Sequence, residues 1–79
     1  EPRVLSFDIE TDPRAERLLA ISIHGCGLDR VLIVDGSDRP MPECAVRCAD
    51  ERSALEAFSE LVRQSDPDVL TGWNSIDFD

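Results

Sequence analysis

Asp8 and Glu10 stand two apart in Arg3-Val4-Leu5-Ser6-Phe7-Asp8-Ile9-Glu10, where apolar and polar residues alternate. Such alternation predicts a strand with Leu5, Phe7 and Ile9 on one face and Ser6, Asp8 and Glu10 on the other, Val4 lying at its entry. Both carboxylates then leave the same face, roughly 6–7 Å apart along the chain. Two anions so placed repel each other unless a cation lies between them. Their oxygen donors suit hard divalent ions, Mg²⁺ or Mn²⁺. A third carboxylate, Asp79, follows a later apolar segment. Asp-x-Glu taken alone also fits a solvated edge strand. The Leu, Phe and Ile of the opposite face argue instead for an interior strand, where a carboxylate pair needs a reason.

Other chemistry-bearing residues are weaker. His24, Cys26, Cys44 and Cys48 contain the donors of a Cys₃His zinc site. Their spacing is poor, because His24 and Cys26 share a strand-like run and Cys44 to Cys48 is not the usual short knuckle. Three cysteines without a secretory context do not make a disulfide framework, so reduced thiols in a cytosolic protein are expected. His24 is a candidate general base by residue type, since histidine side chains can exchange a proton near neutrality. A packed or surface histidine is the competing reading.

The elements that must position these residues follow from periodicity and punctuation. Thr11-Asp12-Pro13 ends the first strand, since proline removes a ladder donor and restricts its predecessor. Leu18 to Cys26 predicts a second strand, with Leu19, Ile21 and Ile23 on one face. Gly25, Gly27 and Asp29 supply a turn, and Val31-Leu32-Ile33-Val34 a short apolar third strand, which suggests an antiparallel meander. From Asp35 to Cys48, Gly36, Pro40 and Pro42 mark a surface loop with room for a short strand. Asp50 caps a helix beginning at Glu51, with Ala54, Leu55, Phe58, Leu61 and Val62 as its apolar stripe. Ser65-Asp66-Pro67 stops that helix. Asp68 to Gly72 predicts a fourth strand, and Trp73 to Asp79 a loop or helix in which Asn74 and Asp77 look like a helix start. A helix between the third and fourth strands permits a crossover that lays the fourth parallel to and beside the first. The fold class expected is α/β, a mixed sheet with one crossover helix.

Composition narrows the function classes. The chain has 79 residues and a net charge of −9, with eight basic against seventeen acidic side chains. At 42% apolar content it is too hydrophobic for a disordered acidic tail. No run reaches the ~18–20 apolar residues of a membrane span, and the first residues do not resemble a signal peptide. The acidity argues against gripping nucleic acid through a basic face. A chain that opens on Glu1 and stops within a patterned segment reads as a piece of a longer one.

Phe7-Asp8-Ile9-Glu10-Thr11 resembles the first motif of the DEDD-type 3′–5′ exonucleases. Asp66-Pro67-Asp68-Val69-Leu70-Thr71-Gly72-Trp73-Asn74-Ser75-Ile76-Asp77-Phe78-Asp79 resembles the second motif as it occurs in family B DNA polymerases. His24-Gly25-Cys26-Gly27 and the Asp-Pro-Asp-Val approach are most similar to the bacterial DNA polymerase II branch. The resemblance spans essentially the whole chain. It implies a ribonuclease H-like fold and a proofreading exonuclease that hydrolyses 3′-terminal nucleotides of single-stranded DNA with two metal ions. The expected setting is the bacterial cytoplasm at the nucleoid, alongside the polymerase domains of the parent chain.

By the same resemblance Asp8, Glu10 and Asp79 match metal-holding catalytic positions. Phe78 matches a position packing near the terminal base, or is a core aromatic. Asn74 contacts the substrate backbone or caps a helix, and Thr11 positions the 3′ end or closes its strand. Asp77 and Asp12 match no ligand position and read as solvated acids, and Trp73 as core or site wall. The family pattern also requires a third motif, Tyr-x-x-x-Asp, but this chain contains no tyrosine. These 79 residues are therefore expected to show little or no nuclease activity alone. A stand-alone DEDD exonuclease acting on DNA or RNA, and a non-catalytic acidic interaction module, are the competing functions.

Overall fold

Residues 1–76 are described by the structure, a computed structural model. Along the chain run β1 (Val4–Thr11), β2 (Leu18–Gly25), β3 (Leu28–Val34), β4 (Ala45–Cys48), α1 (Glu51–Ser65) and β5 (Val69–Ile76). They build a sheet of order β4-β3-β2-β1-β5. β1, β2 and β3 form the expected antiparallel meander, and β5 returns parallel to β1. β4, within the segment read as loop, pairs parallel with β3. The mixed α/β sheet, with α1 as its crossover, is the arrangement of a truncated ribonuclease H-like fold.

β3 begins three residues earlier than its apolar run suggested, because the β2–β3 turn is as short as a hairpin allows. Only Cys26 and Gly27 connect Gly25 to its partner Leu28. Both connecting residues have positive φ, 51° and 79°, the pattern of a type I′ hairpin. Gly25 is required by packing as well, since a Cβ there would lie 2.3 Å from the Val4 carbonyl oxygen.

α1 starts where Asp50 was expected to cap it. The Asp50 side chain accepts the Ser53 N–H at 2.8 Å, and this hydrogen bond holds its carboxyl below the usual carboxylate range. Glu51 Oε1 accepts the Leu18 N–H at 2.9 Å, tying the helix start to β2. The stop is also as expected: Asp66 adopts the left-handed conformation, φ 48°, with its N–H on the Val62 carbonyl. The stripe needs one correction. Ala54 is fully buried and Phe58, Leu61 and Val62 pack on the core, but Leu55 is half exposed and Ala57 takes its place. At 100° per residue Leu55 and Ala57 flank a face built on 54, 58, 61 and 62 at nearly equal angles, so periodicity alone does not separate them and the contacts with the sheet decide.

The core lies between α1 and one sheet face. Leu5, Ile21, Ile23 and Leu32 are essentially fully buried, joined by Cys48 and Ala54. Phe7 joins that layer to β5. Its ring meets Phe58 with centroids 5.0 Å apart at 58°. On its other side it lies across Gly72, its cross-strand partner, where an added Cβ would fall 2.2 Å from Phe7 Cζ. Gly72 thus stands within a strand because an aromatic ring occupies the space of its side chain.

The crossover is clamped at its return. The Arg3 carbonyl accepts the N–H groups of Asp68 and Val69, at 2.8 and 3.1 Å. The Arg3 N–H donates to Asp68 Oδ2 at 2.8 Å, and its guanidinium to the Ser65 carbonyl at 2.8 Å. These bonds start the parallel pair at Val4↔Val69, and the register holds to Thr11↔Ile76.

Two predictions follow from these contacts. Gly72→Ala should lower stability by about 1–3 kcal/mol in urea unfolding, by forcing Phe7 off its seat. Phe7→Leu combined with Gly72→Ala should cost less than the two singles summed, because the smaller side chain vacates the clash. Asp50→Ala should lower the melting temperature at neutral pH. Because the folded-state pKa of Asp50 is depressed, its contribution is present above the unfolded carboxylate pKa and lost as pH falls through the folded one. The gap between Asp50→Ala and the parent sequence should therefore close in acid, and Asp50→Asn, which still caps, should show a smaller loss at pH 7.

Candidate functional site on the open face of the sheet

Along β1 the alternation behaves as its residues dictate. Leu5, Phe7 and Ile9 turn toward α1, leaving Ser6, Asp8 and Glu10 on the other face, over which no described element packs. β1 is flanked on both sides, so this pair stands on an interior strand. Asp8 is half-buried and Glu10 exposed.

Register names the neighbours. Asp8 lies opposite Ser22 of β2 and Trp73 of β5, and Glu10 opposite Ala20 and Ser75. Ser6 lies opposite His24 and Thr71, and the Thr71 hydroxyl is 3.3 Å from that of Ser6. On the β2 side Ser22 and Ala20 keep the floor low, and a concavity of about 300 Å³ opens over Ser6, Asp8, Ser22, His24, Val31 and Trp73.

A β-bulge shapes the end of the site. Glu10 pairs with Ala20 but Thr11 with Leu18, leaving Leu19 without an opposite residue. Such an insertion bends and twists the ladder locally, just beyond Glu10. Asp12 closes the loop that follows. Its carboxylate accepts the N–H groups of Glu16 and Arg17, at 2.9 and 3.2 Å, and its own N–H reaches the Arg17 carbonyl. Asp12 is thus a loop organiser rather than the solvated acid expected. An aspartate directly before proline at the end of a strand is a signal for such a side-chain-closed turn.

The other expected site residues divide. Thr11 does not join the carboxylates: it is buried in the next pleat, with its hydroxyl 3.2 Å from the Asp12 carbonyl. Asn74 was expected to start a helix, but β5 continues through it to Ile76. Ladder bonds to β1, carried by β-favouring Val69, Thr71, Trp73 and Ile76, override the local capping preference of asparagine. Asp77, Phe78 and Asp79 lie outside the described residues. His24 is exposed on the open face, opposite Asp29.

The cysteines scatter instead of converging. Cys26 is in the β2–β3 turn, Cys44 is exposed before β4, and Cys48 packs under α1, on the far side of the sheet from His24. Burial, then the nearby Asp50 charge, pushes the Cys48 thiol up. Reactivity needs the thiolate, so Cys48 serves as a small core hydrophobe.

Asp8 and Glu10 fit a hard divalent ion in kind: ionised oxygen donors on one face, without bulky neighbours on β2. In number they fall short, because no group of three or more His, Cys, Asp or Glu gathers at metal distance among the described residues. Trp73 is the neighbour that sequence reasoning left undecided. Since Gly72 faces Phe7, alternation alone sends Trp73 to the carboxylate side.

The whole chain, residues 1–79, matches the family model described as DNA polymerase family B, exonuclease domain. It is 33% identical over 101 aligned residues to the DNA polymerase delta catalytic subunit of Plasmodium falciparum, covering 98% of this chain and 9% of that protein. It is 29% identical over 84 residues to DNA polymerase 2 of Aeropyrum pernix, with the same coverage of both. A 34-residue stretch, 43% of the chain and 3% of the relative, is 44% identical to the delta catalytic subunit of Caenorhabditis elegans. The chain thus spans less than a tenth of the length of these relatives. The expected affinity with the bacterial DNA polymerase II branch is not carried by them. Motifs on β1 and β5, the sheet that pairs them and the match over every residue agree: the chain belongs to the exonuclease domain of the family B DNA polymerases.

Proposed function

We propose that this chain contributes the first two motifs of a proofreading 3′–5′ exonuclease, which hydrolyses terminal nucleotides from single-stranded or frayed DNA 3′ ends. The observation that carries the reading is the placement of Asp8 and Glu10 on the open face of β1, with β5 and its motif parallel alongside. Asp8, Glu10 and Asp79 are the residues that would hold Mg²⁺ or Mn²⁺. Such ions, when bound, supply an activated water and neutralise charge on the leaving oxygen. The protein's own part is to hold two carboxylates on a stiff interior strand, so that their separation does not drift. The substrate-contacting roles proposed for Thr11, Asn74 and Phe78 rest on the motif resemblance. Polymerase domains of the parent chain are the proposed partners, and the bacterial cytoplasm the proposed setting.

The −9 charge supports a division of labour. Acids on the open face attract cations, and cations bridge to phosphate, while the described residues form no basic groove. DNA affinity must then come through bound metal and other parts of a longer protein.

Backbone amide shifts during a Mg²⁺ titration test the metal reading. Shifts should centre on residues 8 and 10 and weaken at least tenfold in Asp8→Ala and in Glu10→Ala. Neither variant should melt earlier by more than a few degrees, since each removes like-charge repulsion from an open face. Shifts that ignore both substitutions would sink the reading. The 79-residue chain, which lacks the Tyr-x-x-x-Asp motif, should not shorten a 3′-labelled single strand with Mg²⁺ or Mn²⁺, because losing one member of a cooperating catalytic set costs orders of magnitude. Shortening that disappears with Asp8→Ala would overturn that expectation.

A further inference from the structure

Trp73 is 63% exposed, the most exposed large hydrophobic side chain among the described residues. It does not sit on a remote surface. In the β1–β5 ladder it is the direct partner of Asp8, on an adjacent strand ~4.8 Å away. Together with Asp8, Ser22, His24 and Val31 it lines the concavity of about 300 Å³. On the other flank of Asp8 the partner is Ser22, so the carboxylate has a low wall on one side and an indole on the other. One wall of the hollow is therefore aromatic and Asp8 stands on its floor, with Asp29 and Arg30 also in its lining and Glu10 next along the same face of β1.

That pairing fits a ligand with a flat apolar part and an anionic part bridged by a cation, which describes a nucleotide. We propose that Trp73 is a platform on which a nucleobase of the bound strand stacks while its phosphate lies over the Asp8–Glu10 carboxylates. The inference rests on the metal-holding reading of those two acids and adds the residue that grips the base. Stacking of this kind accepts every base, because each has a π face, and it needs no basic groove. It therefore supplies affinity that the acidic chain lacks in its charges. A base-stacking residue also favours unpaired ends, since a base within a duplex already has its neighbours.

The chain contains one tryptophan and no tyrosine, so its intrinsic fluorescence reports Trp73 alone. The test titrates the 79-residue chain, in Mg²⁺, with deoxyadenosine monophosphate and separately with 2-deoxyribose 5-phosphate. The nucleotide should quench the emission and the abasic sugar phosphate should not. By amide shifts, Trp73→Ala should weaken nucleotide binding about tenfold or more and leave the sugar phosphate unchanged. Trp73→Phe should retain most of the affinity. Equal quenching by both ligands, or nucleotide affinity unmoved in Trp73→Ala, would overturn the proposal. So would an emission that blue-shifts with protein concentration and resists the nucleotide, which would mean a second copy covers the indole. The two readings fail separately: if Asp8→Ala and Glu10→Ala leave the Mg²⁺ dependence intact while base-dependent quenching persists, the metal assignment falls and the stacking assignment stands.

Discussion

The parallel register of β5 on β1 is the constraint from which the rest of this structure follows. It is set at one end by Arg3, whose backbone and guanidinium engage Asp68, Val69 and Ser65. It is set in the middle by Phe7, whose ring fills the space beside Gly72. A slip of one residue would turn every β5 side chain to the opposite face and drive a side chain into that ring. Polar clamp and steric key therefore specify the same alignment, and Trp73 comes to stand beside Asp8 because of it.

The sheet divides the molecule into a face that stabilises and a face that is left for chemistry. α1 covers β2, β3 and β4, where Ile21, Ile23, Leu32 and Cys48 are buried. It does not extend over β5, whose Val69 and Leu70 remain more than two-fifths exposed. Hydrophobic burial thus anchors the meander, while β5 depends on ladder bonds, the Arg3 clamp and the Phe7 contact. The open face buries little and holds Asp8, Glu10 and Asp29 together with His24, hydroxyls and an indole. Such a surface contributes little to stability, and its composition is explained by what it could bind.

How much was legible beforehand varied with the range of the deciding interaction. Asp8 and Glu10 could be placed on one face from alternation alone, and Asp50 and Pro67 bounded the helix, because those signals act within a few residues. Asn74 misled, since its capping preference was weighed without the eight-residue ladder that β5 makes with β1. Leu55 and Ala57 exchanged roles through a rotation of the helix that only its contacts define. Asp12 carries a turn signal in its place before Pro13, and its carboxylate closes the loop on the N–H groups of Glu16 and Arg17. Thr11 sits in a motif beside Glu10, yet strand alternation and the bulge at Leu19 put it in the opposite pleat.

By itself the sequence determined the two-faced strand, the helix with its caps, the order of elements apart from β4 and the length of β5, and the family to which the motifs belong. All of these rest on periodicity, local hydrogen bonding or side-chain type, which survive without knowledge of neighbours. Only the tertiary structure decided that Gly72 receives the ring of Phe7, that Arg3 locks the return strand, and that Trp73 flanks Asp8 across an open hollow. Those facts join residues more than sixty positions apart. Their cause is packing and register between strands, which no local pattern encodes.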